Sequence, residues 1–286
     1  MRATNWPARI RQFWVRFSKN HAAVAGLVIV AALVAVSAGA NLIRANDIFN
    51  INPGQTFESP SWSHPFGTDN LGRDMFSLFL YAGRVSFEVG FTAAAVSVLL
   101  GTLLGSIAGF YGGVVDDVIM RFTEMFLAIP ILLLGLTILI IYGPGLSHVV
   151  FVIAVLSWPV TARLVRAEFL TLKEREFVEG LRAVGAPNHV IIFNEIMPNA
   201  LIPVIINASL QVGAAITVEA GLSFLGLGDP SNPSWGYLLQ QAQTFLTRAW
   251  WIATFPGIGL LLAILSLSLI GDGLNDALNP RLAEKG

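Results

Sequence analysis

Residues 168–199, EFLTLKEREFVEGLRAVGAPNHVIIFNEIMPN, form the longest charged segment of a chain that is otherwise mostly apolar. Glu168, Lys173, Glu174, Arg175, Glu176, Glu179, Arg182 and Glu195 fall here, with long hydrophobic runs on both sides. The local signals predict two short helices joined by a sharp turn. Thr171 followed three residues on by Glu174 has the spacing of a capping box, in which hydroxyl and carboxylate each satisfy an orphan N–H. Phe177, Leu181 and Val184 recur at spacings of four and three and make one apolar stripe. Gly185 stands where a residue of positive φ closes a helix, and Pro187 prevents its continuation. A second periodic set, Val190, Ile191, Phe193 and Asn194, runs up to Pro198, where the next apolar run begins.

The rest of the chain sets the class. Of 286 residues, 55% are hydrophobic and 12% charged, and the mean hydropathy is +0.68. Soluble domains carry about 25% charged residues, so the composition is that of an integral membrane protein. A net charge of −1 gives no argument for a nucleic-acid partner. There is no cysteine, hence no disulfide, thiolate metal site or cysteine nucleophile. None of Lys19, Lys173 and Lys285 follows a glycine, which excludes a Walker A loop, and no histidine precedes a glutamate, which excludes HExxH. Any use of ATP would therefore need another chain to bind the nucleotide and its Mg²⁺. No cofactor and no metal are expected here.

Residues 1–21 form a basic arm with Arg2, Arg9, Arg11, Arg16 and Lys19 and no acid. Trp6, Phe13, Trp14 and Phe17 share roughly one helical face, which suits the membrane interface and contact with lipid. Residues 22–43 are apolar, uncharged and long enough to span a core of ~30 Å. Ala38-Gly39-Ala40 mimics a signal-peptide cleavage site, but the run is long for a signal peptide and the basic arm extended, so an uncleaved first helix is expected. Residues 44–84 are a polar connection in which Thr68-Asp69-Asn70 supplies cap chemistry for a short helix from about Leu71. Asp69, Arg73 and Asp74 are spaced to pair locally. They serve there as a cap for that helix or as a substrate contact.

A core of residues 85–272 then holds five further spans around the charged loop. Gly101 and Gly105 form a small-xxx-small pair that allows close helix contact. Asp117, Arg121 and Glu124, at spacings of four and three at the start of the span 118–142, are expected to neutralise one another, and Pro130 to kink that same span. Trp158-Pro159 marks another kink. Residues 200–222 hold Asn207, Gln211 and Glu219, and residues 273–286 form a tail. Thirteen Lys and Arg lie on the side of the N-terminal arm and the charged loop and four on the other, which places both termini and that loop in the cytoplasm.

Several strings carry a resemblance. Glu179-Gly180-Leu181, with Gly185 after it and a proline beyond a second helix, resembles the Glu-Ala-Ala loop of ABC-importer permeases; Gly180 keeps the small side chain and Leu181 departs from it. HPFGTDNLGRDMFSLFLYAGRVS (residues 64–86), EAGLSFLGLGDPSNPSWGYLL (219–239) and GDGLNDALNPRL (271–282) resemble the C-type permease subunit of dipeptide, oligopeptide and nickel importers. The resemblance implies an all-α membrane protein with six transmembrane helices, the type I ABC-importer permease fold, in the plasma (inner) membrane. It implies that Glu179, Gly180, Ala183, Gly185, Pro187 and Pro198 couple the chain to an ATPase. It also implies a heterodimer with a B-type permease, two ABC ATPase subunits and an external substrate-binding protein.

Charged and polar groups inside apolar runs usually face a cavity or a partner, because a charge at mid-bilayer costs ~2.5–3.5 kcal/mol. Glu219 is therefore expected either to hold the glycine-rich turn or to line the outer translocation path, with Asn207 and Gln211 deeper along it. Glu88 is a weaker candidate. The function the resemblance implies is peptide import by alternating access, with this chain as half of the translocation pathway. Nickel chelates, glutathione, opines or oligosaccharides are alternative cargoes. An ion-coupled secondary transporter is a different class, which needs no ATPase. A membrane enzyme would need convergent catalytic groups near an interface, for which His64, Asp69 and Asp74 are the external candidates.

Overall fold

The computed structural model describes residues 6–40 and 50–278. Arg2, Arg44, Arg281 and Lys285, the end of the first apolar run and most of the C-terminal tail lie outside the described residues. Among the described residues ten α-helices run in order: α1 Trp6–Lys19, α2 His21–Ala38, α3 Met75–Tyr111, α4 Gly113–Ala128, α5 Ile131–Tyr142, α6 Leu146–Leu172, α7 Glu176–Ala183, α8 Asn188–Leu227, α9 Trp235–Ala242 and α10 Trp251–Leu278. Inside a bilayer no water can satisfy backbone groups, so an apolar run closes its hydrogen bonds as a helix. Five of these helices (α2, α3, α6, α8 and α10) are long and apolar enough to cross.

The sixth span is broken rather than kinked. Helices α4 and α5 meet at 86° across Ile129 and Pro130. Proline drives the residue before it out of the α region, and Ile129 is accordingly extended, with φ −100° and ψ 130°. Pro130 itself has ψ 124°, so two successive residues leave the helix and the chain turns a corner. At Pro159, by contrast, α6 runs on without a break.

Helices α3 and α6 lie against each other along most of their length. The stripe Gly101, Gly105, Gly109 on α3 meets Thr161, Ala162 and Phe169 on α6, with backbone approaching backbone. Helix α2 packs on α10, where Asn20 caps α2 through Ala23 N and donates its side-chain amide to Asp276 at 2.9 Å. Of the arm's aromatic face, Phe17 is buried against Gly273 and Ala277 while Trp14 stays exposed. The arm thus rests on α10 as well as offering an apolar face outward.

The loop before α3 is stapled to the bundle. Trp251 donates its indole N–H to Thr68 O at 3.0 Å, Phe66 stacks on Phe255 at 3.9 Å, and Arg73 reaches Gln241 at 3.2 Å. The expected helix from Leu71 is corrected: α3 starts at Met75, and Asp74 is its cap, accepting from Ser77 N at 2.9 Å and Ser77 Oγ at 2.7 Å. Residues 71–73 are used in a turn around Gly72, whose φ of +73° no helix permits. Asp69 serves that turn, accepting from Leu71 N and Arg73 N, both at 2.8 Å, and from Arg73 Nε at 2.6 Å. The short helix of this loop is instead a single 3₁₀ turn at Pro53–Gln55.

Candidate functional site

The charged segment builds a small platform at the end of the bundle where α3 and α6 finish. Helix α6 closes at Leu172, and Lys173 N and Arg175 N bond back to Phe169 O and Leu172 O. Thr171 lies within α6 and donates its hydroxyl to Ala167 O at 3.0 Å, so it caps nothing. The capping box is not formed because apolar residues Phe169 and Leu172 keep the last turn of α6 packed past the capping position. Arg175 occupies the N-cap position of α7 without a side-chain bond. Glu176 and Glu179 stand in the first turn of α7 and Arg182 in its last, which suits the helix dipole at both ends.

One side chain anchors α7. Val178 has no exposed surface and packs in a cluster with Phe110, Val165, Phe169, Ile191, Ile196 and Ala200. Leu181 joins the edge of that cluster. Phe177 and Val184, expected on the same stripe as Leu181, face out instead, and Val184 is 79% exposed. Eight residues make barely two turns, so Val178 and Leu181 fix the rotation and the stripe splits. Glu179, Gly180, Ala183, Gly185 and Pro187 are all exposed, as is Pro198 on α8. A Cβ added at Gly180 would meet nothing within 4 Å. The outward surface is therefore apolar and small at its centre, with Glu179 and Glu176 beside it.

The turn after α7 has the predicted chemistry. Gly185 has φ +77°, its N–H reaches Arg182 O at 3.0 Å, and Ala186 N reaches Leu181 O at 3.0 Å. This pair of bonds is the Schellman closure. Beyond Pro187 the chain does not make a separate short helix. It enters α8 directly, and a wider π-type turn at Ile191–Ile196 spreads the hydrogen-bond ladder ahead of Pro198, whose missing N–H would otherwise break it.

The polar groups of α8 point into the chain. Asn207 donates to Thr161 Oγ1 at 3.0 Å, and Gln211 donates to Ser157 O at 3.2 Å, both on α6. Glu219, 2% exposed, accepts from Ser223 at 2.6 Å and lies with Ser86 and Ser234 beneath the start of α9. Glu219 thus lies at the glycine-rich turn, with Asn207 and Gln211 further back along α8. Glu88 is exposed on α3. On the outer side, Asp69, Arg73 and Asp74 are engaged in the turn and cap described above, and His64 contacts Asp74 at 3.0 Å.

Two features had no clear sequence signal. Arg166 forms a bidentate pair with Asp116, tying α6 to α4. Asp229 binds the turn before α9 to the start of α6, accepting from Ser231 N at 2.9 Å, Asn232 Nδ2 at 3.0 Å and Leu146 N at 3.3 Å. The partners lie 50 and 83 residues apart in the chain, beyond any local pattern. Among the described residues no group of three or more His, Cys, Asp or Glu is placed to hold a metal.

Residues 101–284 match the family of binding-protein-dependent transport system inner membrane components. The chain belongs to that family. Residues 9–60 also match the N-terminal transmembrane domain of oligopeptide transport permease C. Among relatives, the dipeptide transport system permease protein DppC of Alkalihalophilus pseudofirmus is 39% identical over 95% of this chain and 90% of its own. The glutathione transport system permease protein GsiD of Pectobacterium atrosepticum is 38% identical over 95% and 91%. The di/tripeptide transport system permease protein DppC of Pseudomonas aeruginosa is 37% identical over 97% and 94%. This chain is thus a multi-pass inner-membrane permease of the ABC-importer class. In fold it is similar to a chain of the MetNI methionine ABC transporter in an inward-facing form, with a TM-score of 0.54 at 20% identity, covering 70% of this chain and 93% of that one.

Proposed function

We propose that this permease forms half of a peptide pathway, pairs with a B-type permease, and is driven by two ABC ATPases, one of which docks on α7. The observation that carries the ATPase contact is the exposed Phe177, Gly180, Ala183 and Val184 surface on a helix fixed to the bundle by Val178. A rigid base under an unpartnered apolar surface transmits motion; a loosely attached helix would absorb it. When ATP closes the ATPase pair, residues 179–198 move with it, and because α8 begins inside that segment the push enters a membrane span without an intervening joint. The bundle then opens outward to receive substrate from an external binding protein. ATP and Mg²⁺ stay in the ATPases, and this chain binds neither. The excess of Lys and Arg on the α7 side supports cytoplasmic termini. Di- or oligopeptides are the cargo best supported by the relatives; glutathione, itself a peptide, is the second.

The test is affinity purification of the tagged chain in mild detergent, with mass spectrometry, an ATPase assay and uptake of labelled peptides in proteoliposomes. Recovery of a second permease and ATPases, with turnover stimulated by a binding protein and peptide, is the expected result. Repeated recovery of the chain alone, with uptake driven by an ion gradient, would replace this reading by secondary transport.

A further inference from the structure

The charged residues of α4 were expected to neutralise one another, and they do not. Asp117, Arg121 and Glu124 have the spacing for mutual pairing, yet none of them is within ion-pair distance of another. They line instead a cavity of about 570 Å³ between α4 and α6, together with Met120, Arg163 and Arg166. Arg166 is already held by Asp116. Outside any close ion pair, two carboxylates and two guanidiniums, Asp117 (whose charge also attracts Arg166), Glu124, Arg121 and Arg163, face one open space with balanced charge. The volume falls within the ~300–1,000 Å³ of small-molecule sites.

We propose that this cavity is a binding site for a zwitterion, and that its ligand is the imported peptide, held by its termini on the α7 side of the pathway. The assignment rests on the peptide reading above. Arg163 and Arg121 present N–H donors that match a carboxylate, in the planar fork that favours bidentate contact. Asp117 and Glu124 accept from an ammonium. On α4 Arg121 stands four residues from Asp117 and three from Glu124, ~6 and ~4.5 Å along the helix, and a dipeptide extends ~7 Å, so its carboxylate meets Arg121 while its ammonium meets a neighbouring acid within the one cavity. A simple anion gains from the arginines but meets the two carboxylates, and a simple cation meets the reverse. A molecule carrying both charges meets neither penalty. Phosphoethanolamine, the headgroup of a common lipid, shares that chemistry and is the competing source.

Saturation-transfer NMR on the purified full-length chain in maltoside micelles, free of charged lipid, reads weak binding directly. The probes are dialanine, its N-acetylated and C-amidated form, and phosphoethanolamine. Dialanine should bind about tenfold more tightly than the capped form. Arg163→Gln and Glu124→Gln should each remove most of that difference, and Arg163→Lys should restore part of it. Equal binding of free and capped dialanine, or no change in the variants, would overturn the site. Phosphoethanolamine binding tenfold above dialanine would assign it to lipid and overturn the peptide ligand. The two readings separate cleanly: an importer that moves peptides while these variants bind dialanine normally refutes the site alone. An importer that takes up no peptide refutes the function, whatever this cavity binds.

Discussion

Gly101 of α3 faces Thr161 of α6 so closely that a Cβ at Gly101 would stand 2.6 Å from the Thr161 Cβ and 2.7 Å from the Trp158 carbonyl oxygen. Carbon atoms in contact prefer ~3.5–4.0 Å, so any side chain must push the two helices apart. Gly101→Val should lower stability by about 1–3 kcal/mol, the usual cost of overpacking. Thermal melting in detergent reads it. Gly180→Ala, where the added methyl meets open space, is the control and should melt with the wild type. Equal melting of Gly101→Val and wild type would show that α3 and α6 are not held at this separation.

Val178 and Val184 sit on the same short helix with opposite exposure. Val178→Ala removes buried methyl groups and should cost about 2 kcal/mol, read as a lower melting temperature. Val184→Ala and Phe177→Ala should leave the melting temperature unchanged and weaken recovery of the ATPase subunits on purification. Full ATPase recovery with both exposed variants would move the docking surface elsewhere.

Gly185 has φ +77° and open space around it. Its substitution is therefore a matter of backbone conformation alone. A β-branched residue in that conformation costs roughly 1–2 kcal/mol, enough to shift a turn that holds two hydrogen bonds. Gly185→Val should raise the ATP hydrolysed per peptide imported, while Gly185→Asn, which tolerates positive φ, stays nearer the wild type. An unchanged ratio in Gly185→Val would count against residues 179–198 as a lever.

Burial alone would push the Asp229 carboxyl up, but hydrogen bonds from the Asn232 side chain and from the Ser231, Leu146 and Asn232 amides outweigh it and hold the group below the ordinary aspartate range. A carboxyl depressed by folding adds stability above its unfolded pKa of about 4, and that stability is lost as pH falls through the folded value. Melts from pH 7 down to 3 should show acid destabilisation in the wild type that is smaller in Asp229→Asn, which starts lower at pH 7. Parallel acid limbs would remove Asp229 from the link between α6 and the turn before α9.

The chain's one-dimensional pattern settled what depends on local chemistry. Apolar runs of sufficient length became helices because no other structure closes its hydrogen bonds in lipid. The Gly101/Gly105 spacing announced a close helix contact, and Gly185 before Pro187 announced a turn of positive φ, since each is a property of a few adjacent residues. Rotation about a helix axis and the exact helix ends are different. Composition says that α7 has apolar residues, but only the cluster around Val178 decides that Val178 turns inward and Val184 outward. Asp74 rather than Thr68–Asn70 caps α3 because the turn at Gly72 is stapled to residues far along the chain, at Gln241 and Trp251. Pro130 was legible as a disturbance, whereas the 86° corner required α5 to find a place against α6 and α8. Asn207, Gln211 and Glu219 were legible as polar groups in a span. Their partners on α6, on α3 and near α9 were not, because those contacts join residues brought together only by helix packing.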